Sequence, residues 1–400
     1  MNKIAKNIKE PIKRIVLWVY NLFVKLLPVS SKVILFECNL GRSYSGNPRA
    51  IYEEMVRQGL DKKYKCYFIF EDTETPIVGQ AKKVKRKRLK YFYLFAKAGI
   101  WICDSRLPMY IVKPAETVFI QTWHGTPLKK LGLDMDDVYM AGETSIEDYK
   151  NNFSENTKTW DYLISQNNYS GEIFPRAFDY HKEILEIGYP RNDVLFREDN
   201  EEDIRRIKRQ MGLPLDKGII LYAPTWRDNK YYDLGEYKFE SSLDFQTLKE
   251  EFGDDIIILV KNHYLVVDHI DWGRYEGFVR SFDTNQDISD LYLVSDILIT
   301  DYSSVMFDYS ILRRPIIFYC YDLEEYKDSL RGFYFDFVEE APGPIVKTTE
   351  ELIEVLKNYQ VKLYEEKYYK FVEKYNHLDD GNASSKVVEL IETLVNSKEE

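Results

Sequence analysis

Short apolar runs and longer stretches with apolar residues at helical spacing take turns along the chain. Runs at 33–36, 65–70, 100–103, 118–121, 162–165 and 184–187 predict strands. Between them, Arg49 to Arg57, entered through Pro48 at its first position, and Tyr91 to Ala98 predict helices. A charged helix at Glu201 to Met211 and the breaker Gly212-Leu213-Pro214 mark a boundary near 197–218. The same grammar then returns, with strands at 218–222, 255–261, 296–300 and 315–319. Strands separated by helical stretches imply parallel sheets covered on both faces, an α/β fold class with two domains. The expected division is a leader helix at 1–30, domains at 31–200 and 215–360, and closing helices at 361–400. Those last helices, Val361 to Tyr375 and Ser384 to Val395, are expected to brace the two domains.

One stretch organises the second half. In Ser295 to Pro315, an apolar strand through Thr300 breaks at Asp301-Tyr302-Ser303-Ser304 and resumes at helical spacing from Val305. Ser303 or Ser304 stands where an N-cap belongs, and a helix start at a parallel strand's carboxyl end offers free N–H groups to an anion. The plain alternative is an ordinary capped helix.

Length and charge narrow the classes. Four hundred residues exceed one core, and a net charge of -11 excludes generic nucleic-acid binding, so an anionic substrate must meet a local basic patch. Cys38, Cys66, Cys103 and Cys320 are widely spaced beside apolar runs, which fits buried reduced thiols and no zinc site. Lys9, Lys13 and Arg14 precede an apolar run from Ile15 to Leu27 that contains Trp18 and is interrupted by Asn21 and Lys25. It is too short to span a bilayer, and no small-residue cleavage site follows it. An amphipathic helix at an anionic membrane surface is the preferred reading, with a helix packed on the protein's own core as the alternative. Lys82 to Lys90 is the densest charge run, with Lys85, Arg86, Lys87 and Arg88 at its centre and aromatic residues behind it. It reads as a contact for anionic lipid or a polyanionic acceptor, or as a solvated loop; near such a surface each cation contributes on the order of 1 kcal/mol.

Candidate chemistry sits at strand ends. His124, in Gln121-Thr122-Trp123-His124-Gly125-Thr126-Pro127, follows the strand ending at Gln121; Gly125 permits close backbone approach and Pro127 stiffens the turn. Lys261-Asn262-His263 ends a strand of the second domain, and Tyr222 to Arg227 ends another, offering Arg227 as a planar phosphate donor. Together with Ser303 and Ser304 these ends converge on one crevice. Its contents suit a pyrophosphate, because releasing a nucleoside monophosphate requires charge neutralisation and the attacking hydroxyl needs a base that titrates near neutrality. There is no Walker loop. The dense acidic stretches, at 134–137 and 254–255, read as solvated charges, so the sequence requires neither metal nor cofactor.

QTWHGTPLKKLG at 121–132, GYPRND at 188–193, YAPTWR at 222–227, KNH at 261–263 and DILITDYSSVMFDY at 296–309 together resemble the CDP-glycerol glycerophosphotransferases of teichoic acid synthesis. The resemblance covers most of the chain and implies two Rossmann-like domains of GT-B type. It implies transfer of glycerol phosphate from CDP-glycerol to a polyprenyl-pyrophosphate-linked saccharide acceptor, with release of CMP at the cytoplasmic face of the membrane. It also implies His124 as base, His263 facing the pyrophosphate, and Arg227, Lys261, Ser303 and Ser304 on the donor phosphates. Gly125, Thr126, Thr300, Asp301 and Asp308 of the same motifs complete the expected binding set, with self-association left open. The alternatives are a CDP-ribitol transferase, a UDP-sugar transferase of GT-B type and a non-catalytic scaffold on anionic lipid. Lacking the large N-terminal extension of some family polymerases, the chain is expected to be a primase or short-chain enzyme.

Overall fold

The structure is a computed structural model that describes residues 17–137, 145–225, 231–233, 236–238, 242–261, 266–267, 270–283, 286–324 and 332–398. The first domain is built on seven parallel strands: β1 (Ser30–Glu37), β2 (Lys65–Phe70), β3 (Lys82–Lys85), β4 (Ala98–Cys103), β5 (Val118–Gln121), β6 (Tyr162–Ser165) and β7 (Glu183–Glu186). They pair in the order β3-β2-β1-β4-β5-β6-β7. The second domain continues with β8 (Gly218–Ala223), β9 (Tyr231–Asp233), β10 (Glu236–Lys238), β11 (Ile256–Lys261), β12 (Val266–Val267), β13 (Val279–Phe282), β14 (Ile297–Thr300), β15 (Ile316–Tyr319) and β16 (Ile345–Val346). Its main sheet is parallel in the order β13-β11-β8-β14-β15-β16, and β12-β10-β9 form a small separate sheet.

Both main sheets are Rossmann-like, and both are buried on two faces, which explains their near-continuous apolar strands. In the first, Leu35, Trp101 and Phe119 pack on Tyr91, Phe95, Phe153 and Phe174. On the opposite face, Phe36, Phe68 and Ile102 meet Tyr52, Met55 and, from the far end of the chain, Val387, Val388 and Ile391. The closing helix Ala383–Asn396 therefore lies on the first domain, whereas Phe371 and Tyr375 of Val361–Tyr375 belong to the second core. Leu195 and Ile207 also pack into that second core, so the chain has already crossed over by Leu195, before the helix Glu201–Gln210.

Strand order reverses between β1 and β4 in one sheet and between β8 and β14 in the other. Connections leave opposite sides there, opening a crevice at the strands' carboxyl ends. The residues expected to carry chemistry follow these ends.

Two elements differ from the pattern reading. The run Lys82 to Lys90, read as an anionic-lipid or acceptor contact or as a solvated loop, contains β3, an edge strand in which Val84 points inward and Lys82, Lys83 and Lys85 point to solvent. One buried residue in a lysine run gives no visible period, and the lysines blunt the sheet edge against pairing. The helix over residues 17–26 packs one face on the protein's own core, which is the alternative reading. Tyr20 and Val24 are buried against Ala96 and Phe92, while Trp18, Leu22 and Leu26 are 66%, 46% and 73% exposed. Among the described residues no helix is long and apolar enough to cross a membrane.

Candidate active site

The loop after β5 is shaped by a tryptophan. Trp123 has φ +52, a backbone conformation that few bulky residues adopt, and it is held there by burial of its ring against Phe178, 4.5 Å away, among Phe153, Trp160 and Phe174. Asn47, itself buried, donates through Nδ2 to the carbonyls of Thr122 and Trp123, each at 3.1 Å. With the tryptophan anchored inward, His124 is turned outward into the crevice, its ring stacked on Trp123 at 4.4 Å.

His124 Nδ1 lies 2.7 Å from the Asp104 carbonyl oxygen, at the end of β4. A carbonyl only accepts, so Nδ1 carries the proton and Nε2 is left as an unprotonated base. Enclosure by the protein holds the imidazole below its usual pKa, at about 4, with Arg191 and Arg106 adding to that effect and the Asp104 carbonyl opposing it. The side chain is still exposed to solvent in the open crevice, so it is the direction of this shift that matters: the ring is neutral at pH 7.

The facing wall comes from the second domain. Ser303 and Ser304 follow β14, Pro224 follows β8 and Lys261 ends β11; Ser303, Pro224 and Lys261 border the crevice, and Ser304 borders the adjoining cavity that His124 also lines. A Cβ added to Gly125 would stand 2.9 Å from Ser304 Oγ, so the absence of a side chain lets the histidine loop reach the serine turn. The helix that follows, Val305–Tyr309, is only five residues long, and Ser304 occupies its N-cap position without a side-chain cap bond. The Lys261 ammonium donates to the carbonyls of Asp283 and Gln286, and burial lowers its pKa. The crevice is open to solvent, and its empty space, open solvent included, comes to about 970 Å³.

Several expected site residues have internal partners instead. The Thr300 hydroxyl donates to the Ala223 carbonyl at 2.7 Å, tying β14 to β8, and is fully buried. Asp301 accepts from the Thr225 amide at 2.8 Å, and the Thr126 hydroxyl donates to Gln166 Oε1 at 2.6 Å. Asp308 lies beneath the crevice and accepts from Arg191 at 2.6 Å and from Asn192 at 3.1 Å. Arg86 requires a correction: it is not a surface cation, because the buried Glu37 carboxylate takes its Nε at 2.8 Å and draws the guanidinium inside. Lys85, Lys87 and Arg88 are exposed. Lys9, Lys13, Arg14, Arg227 and His263 lie outside the described residues.

Pattern reading also passed over residues that build the site. Arg191, inside the quoted GYPRND motif, donates to the His124 carbonyl at 2.9 Å as well as to Asp308. Asp287 accepts from the Gly46 amide and pairs with Arg49, both at 3.2 Å, which ties the start of Ile288–Val294 to the first domain. Asn39, Arg42, Ser43 and Ser45 line the first-domain wall. A motif match could have marked Arg191; for Asp287 the signal is its contact with Gly46, 241 residues away, which no local pattern carries.

Residues 19–393 match the family model described as CDP-Glycerol:Poly(glycerophosphate) glycerophosphotransferase. The chain is 46% identical over 375 residues to the teichoic acid poly(glycerol phosphate) polymerase of Bacillus subtilis (strain 168), covering 91% of this chain and 49% of that protein. It is 42% identical over 397 residues to the teichoic acid glycerol-phosphate transferase of Staphylococcus aureus (strain NCTC 8325 / PS 47), covering 96% and 99%. It thus spans about half of the first relative's length and nearly all of the second's. The solved structure of the wall teichoic acid polymerase TagF superposes with a TM-score of 0.89 at 41% identity, covering 100% of both chains. A histidine variant of that polymerase soaked with CDPG superposes equally well.

Proposed function

Since the chain belongs to the CDP-glycerol:poly(glycerophosphate) glycerophosphotransferase family, we propose that it transfers glycerol phosphate from CDP-glycerol to a hydroxyl of a polyprenyl-pyrophosphate-linked teichoic-acid-type acceptor and releases CMP. The observation that carries this reading is the His124 ring with Nδ1 bonded to the Asp104 carbonyl, which leaves Nε2 to accept a proton. The acceptor hydroxyl gives its proton to Nε2 as its oxygen bonds to the glycerol-bearing phosphorus. The bond from that phosphorus to the bridging oxygen breaks, and its electron pair leaves with CMP. The phosphate of CMP leaves as an anion without needing a proton, because its second pKa is near 6. What it needs is positive charge and N–H or O–H donors already in place.

Lys261, Ser303 and Ser304 supply such donors on the second-domain wall. Arg227 and His263 are assigned to the donor phosphates by their motifs. Neither metal nor cofactor enters the proposed step. The CDPG soak of the related polymerase supports the donor. Peripheral attachment at the cytoplasmic face is supported by the exposed apolar residues Trp18, Leu22 and Leu26 of the first helix and by exposed Leu89, which has the exposed Lys87, Arg88 and Lys90 beside it in sequence.

The test is nucleotide release by purified protein with a primed polyprenyl-pyrophosphoryl disaccharide, CDP-ribitol being run in parallel. CMP from CDP-glycerol that is abolished in His124→Ala is the expected result, and product length separates a primase from a polymerase. Undiminished release by His124→Ala would overturn the base assignment, and preference for CDP-ribitol would overturn the donor.

A further inference from the structure

The first-domain wall of the crevice carries polar groups that the step proposed above does not employ. The loop after β1 turns through three consecutive left-handed residues, Asn39, Leu40 and Gly41, at φ +46, +56 and +82. It is fixed at both ends: the Gly41 amide donates to the Cys38 carbonyl at 2.7 Å, and the Gly41 carbonyl accepts from the Glu71 amide at 2.6 Å. The Asp104 carboxylate takes the Asn39 amide at 2.8 Å and the Ser105 hydroxyl at 2.7 Å, so this buried acid is engaged inside the wall. Asp287, which also borders the space, is engaged with Arg49 and with the amides of Gly46 and Ser289. Arg42 is exposed and lines the crevice.

The hydroxyls beside Arg42 form a directed chain. Asn39 Nδ2 donates to Ser43 Oγ at 2.9 Å, and Ser43 Oγ lies 2.7 Å from Ser45 Oγ. Two hydroxyls carry two protons and share one hydrogen bond, so one proton is left to donate outward. Ser43 is buried and Ser45 is half-exposed toward the crevice, which makes Ser45 the outward donor. Arg42 and Ser45 line the same crevice, and a guanidinium and a hydroxyl donor facing one space can hold an anion between them.

We propose that Arg42 and Ser45 form a second phosphate subsite, which holds the terminal phosphodiester of the acceptor chain while that chain's end hydroxyl reaches His124. The inference rests on the function proposed above. A glycerol-phosphate terminus carries its own phosphate one glycerol away from its attacking hydroxyl, and the second-domain wall is taken up by the donor's phosphates. The subsite would make an anionic primed acceptor a better substrate than a neutral one.

Two measurements test it. In the first, a short oligo(glycerol phosphate) is titrated calorimetrically into the protein without donor. Binding should weaken about tenfold or more in Arg42→Ala, as expected for losing a charged hydrogen bond, and less in Arg42→Lys and Ser45→Ala. In the second, Arg42→Ala should raise KM for the primed acceptor and leave KM for CDP-glycerol and for an unprimed acceptor as in the parent. Equal binding by parent and Arg42→Ala, equal losses on primed and unprimed acceptors, or a loss confined to CDP-glycerol would each overturn the subsite. If the parent releases no CMP at all, the proposed function fails, and the titration alone still decides the subsite.

Discussion

Arg191 and Asp308 form a buried ion pair across the domain boundary at 2.6 Å, and the same guanidinium holds the His124 carbonyl at 2.9 Å. One side chain thus contributes both to domain apposition and to the position of the histidine loop. Removing one partner of a buried pair leaves a charge without compensation, which costs about 3–5 kcal/mol. Asp308→Ala should lower the unfolding free energy by roughly 3 kcal/mol in urea. Replacing both residues with apolar ones of similar volume should recover much of that stability but lower kcat, because the loss of Arg191 removes the donor to the His124 carbonyl. Recovery of full activity by the double variant would show that the pair serves packing alone.

The ionisation of His124 sets a pH dependence whose sign follows from its role. The ring must be neutral to take a proton, so the rate is lost as pH falls through the pKa of the folded enzyme. Burial places that pKa below the ordinary value of about 6.5. The acid limb of kcat/KM should therefore lie below pH 6.5, with activity retained at pH 6. The limb of kcat should lie higher, since a bound pyrophosphate stabilises the imidazolium. An acid limb of kcat/KM at or above 6.5 that is absent in His124→Gln would contradict the environment described for this ring.

Gly125 is under pressure from contact rather than from backbone strain. An added Cβ would stand 2.9 Å from Ser304 Oγ and 3.3 Å from its Cβ. The hydroxyl can rotate away, but the Cβ cannot, so the two loops must part by a few tenths of an ångström. Gly125→Ala should cost less than about 1.5 kcal/mol in stability yet lower kcat by about tenfold, because displacements of this kind weigh on catalysis more than on folding. Thermal unfolding measured beside single-turnover rates separates the two effects.

The architecture was legible where burial leaves a continuous apolar run: the central strands of both sheets and the two closing helices follow from pattern alone. The lining of the crevice was legible where motifs stand at strand ends, as with His124, Ser303 and Ser304. What stayed hidden was pairing at long range. Asp308 and Thr300 lie within the same motif as Ser303, and nothing local tells a side chain that faces the crevice from one that faces a partner inside. Arg86 is the clearest case. In a run of lysines it reads as one more surface cation, until β1 is seen to carry a buried glutamate beside it.

That glutamate makes Arg86 separable from its neighbours. Burial raises the Glu37 carboxyl to about 7, against the pull of Arg86. The folded state therefore holds this proton between the unfolded value, near 4.3, and 7, so the group's contribution to stability declines as pH rises through that window. In Arg86→Ala the folded pKa rises further and the decline extends above pH 7, where the lone carboxylate would cost about 3 kcal/mol. Lys87 and Arg88 are exposed, and replacing them with alanine should change stability by less than about 0.5 kcal/mol. Their loss should instead reduce sedimentation with anionic vesicles, by on the order of 1 kcal/mol per charge. Urea titrations at pH 6 and 8 beside vesicle binding decide the matter. Unchanged stability in Arg86→Ala together with lost vesicle binding would return Arg86 to the surface and refute the buried pair.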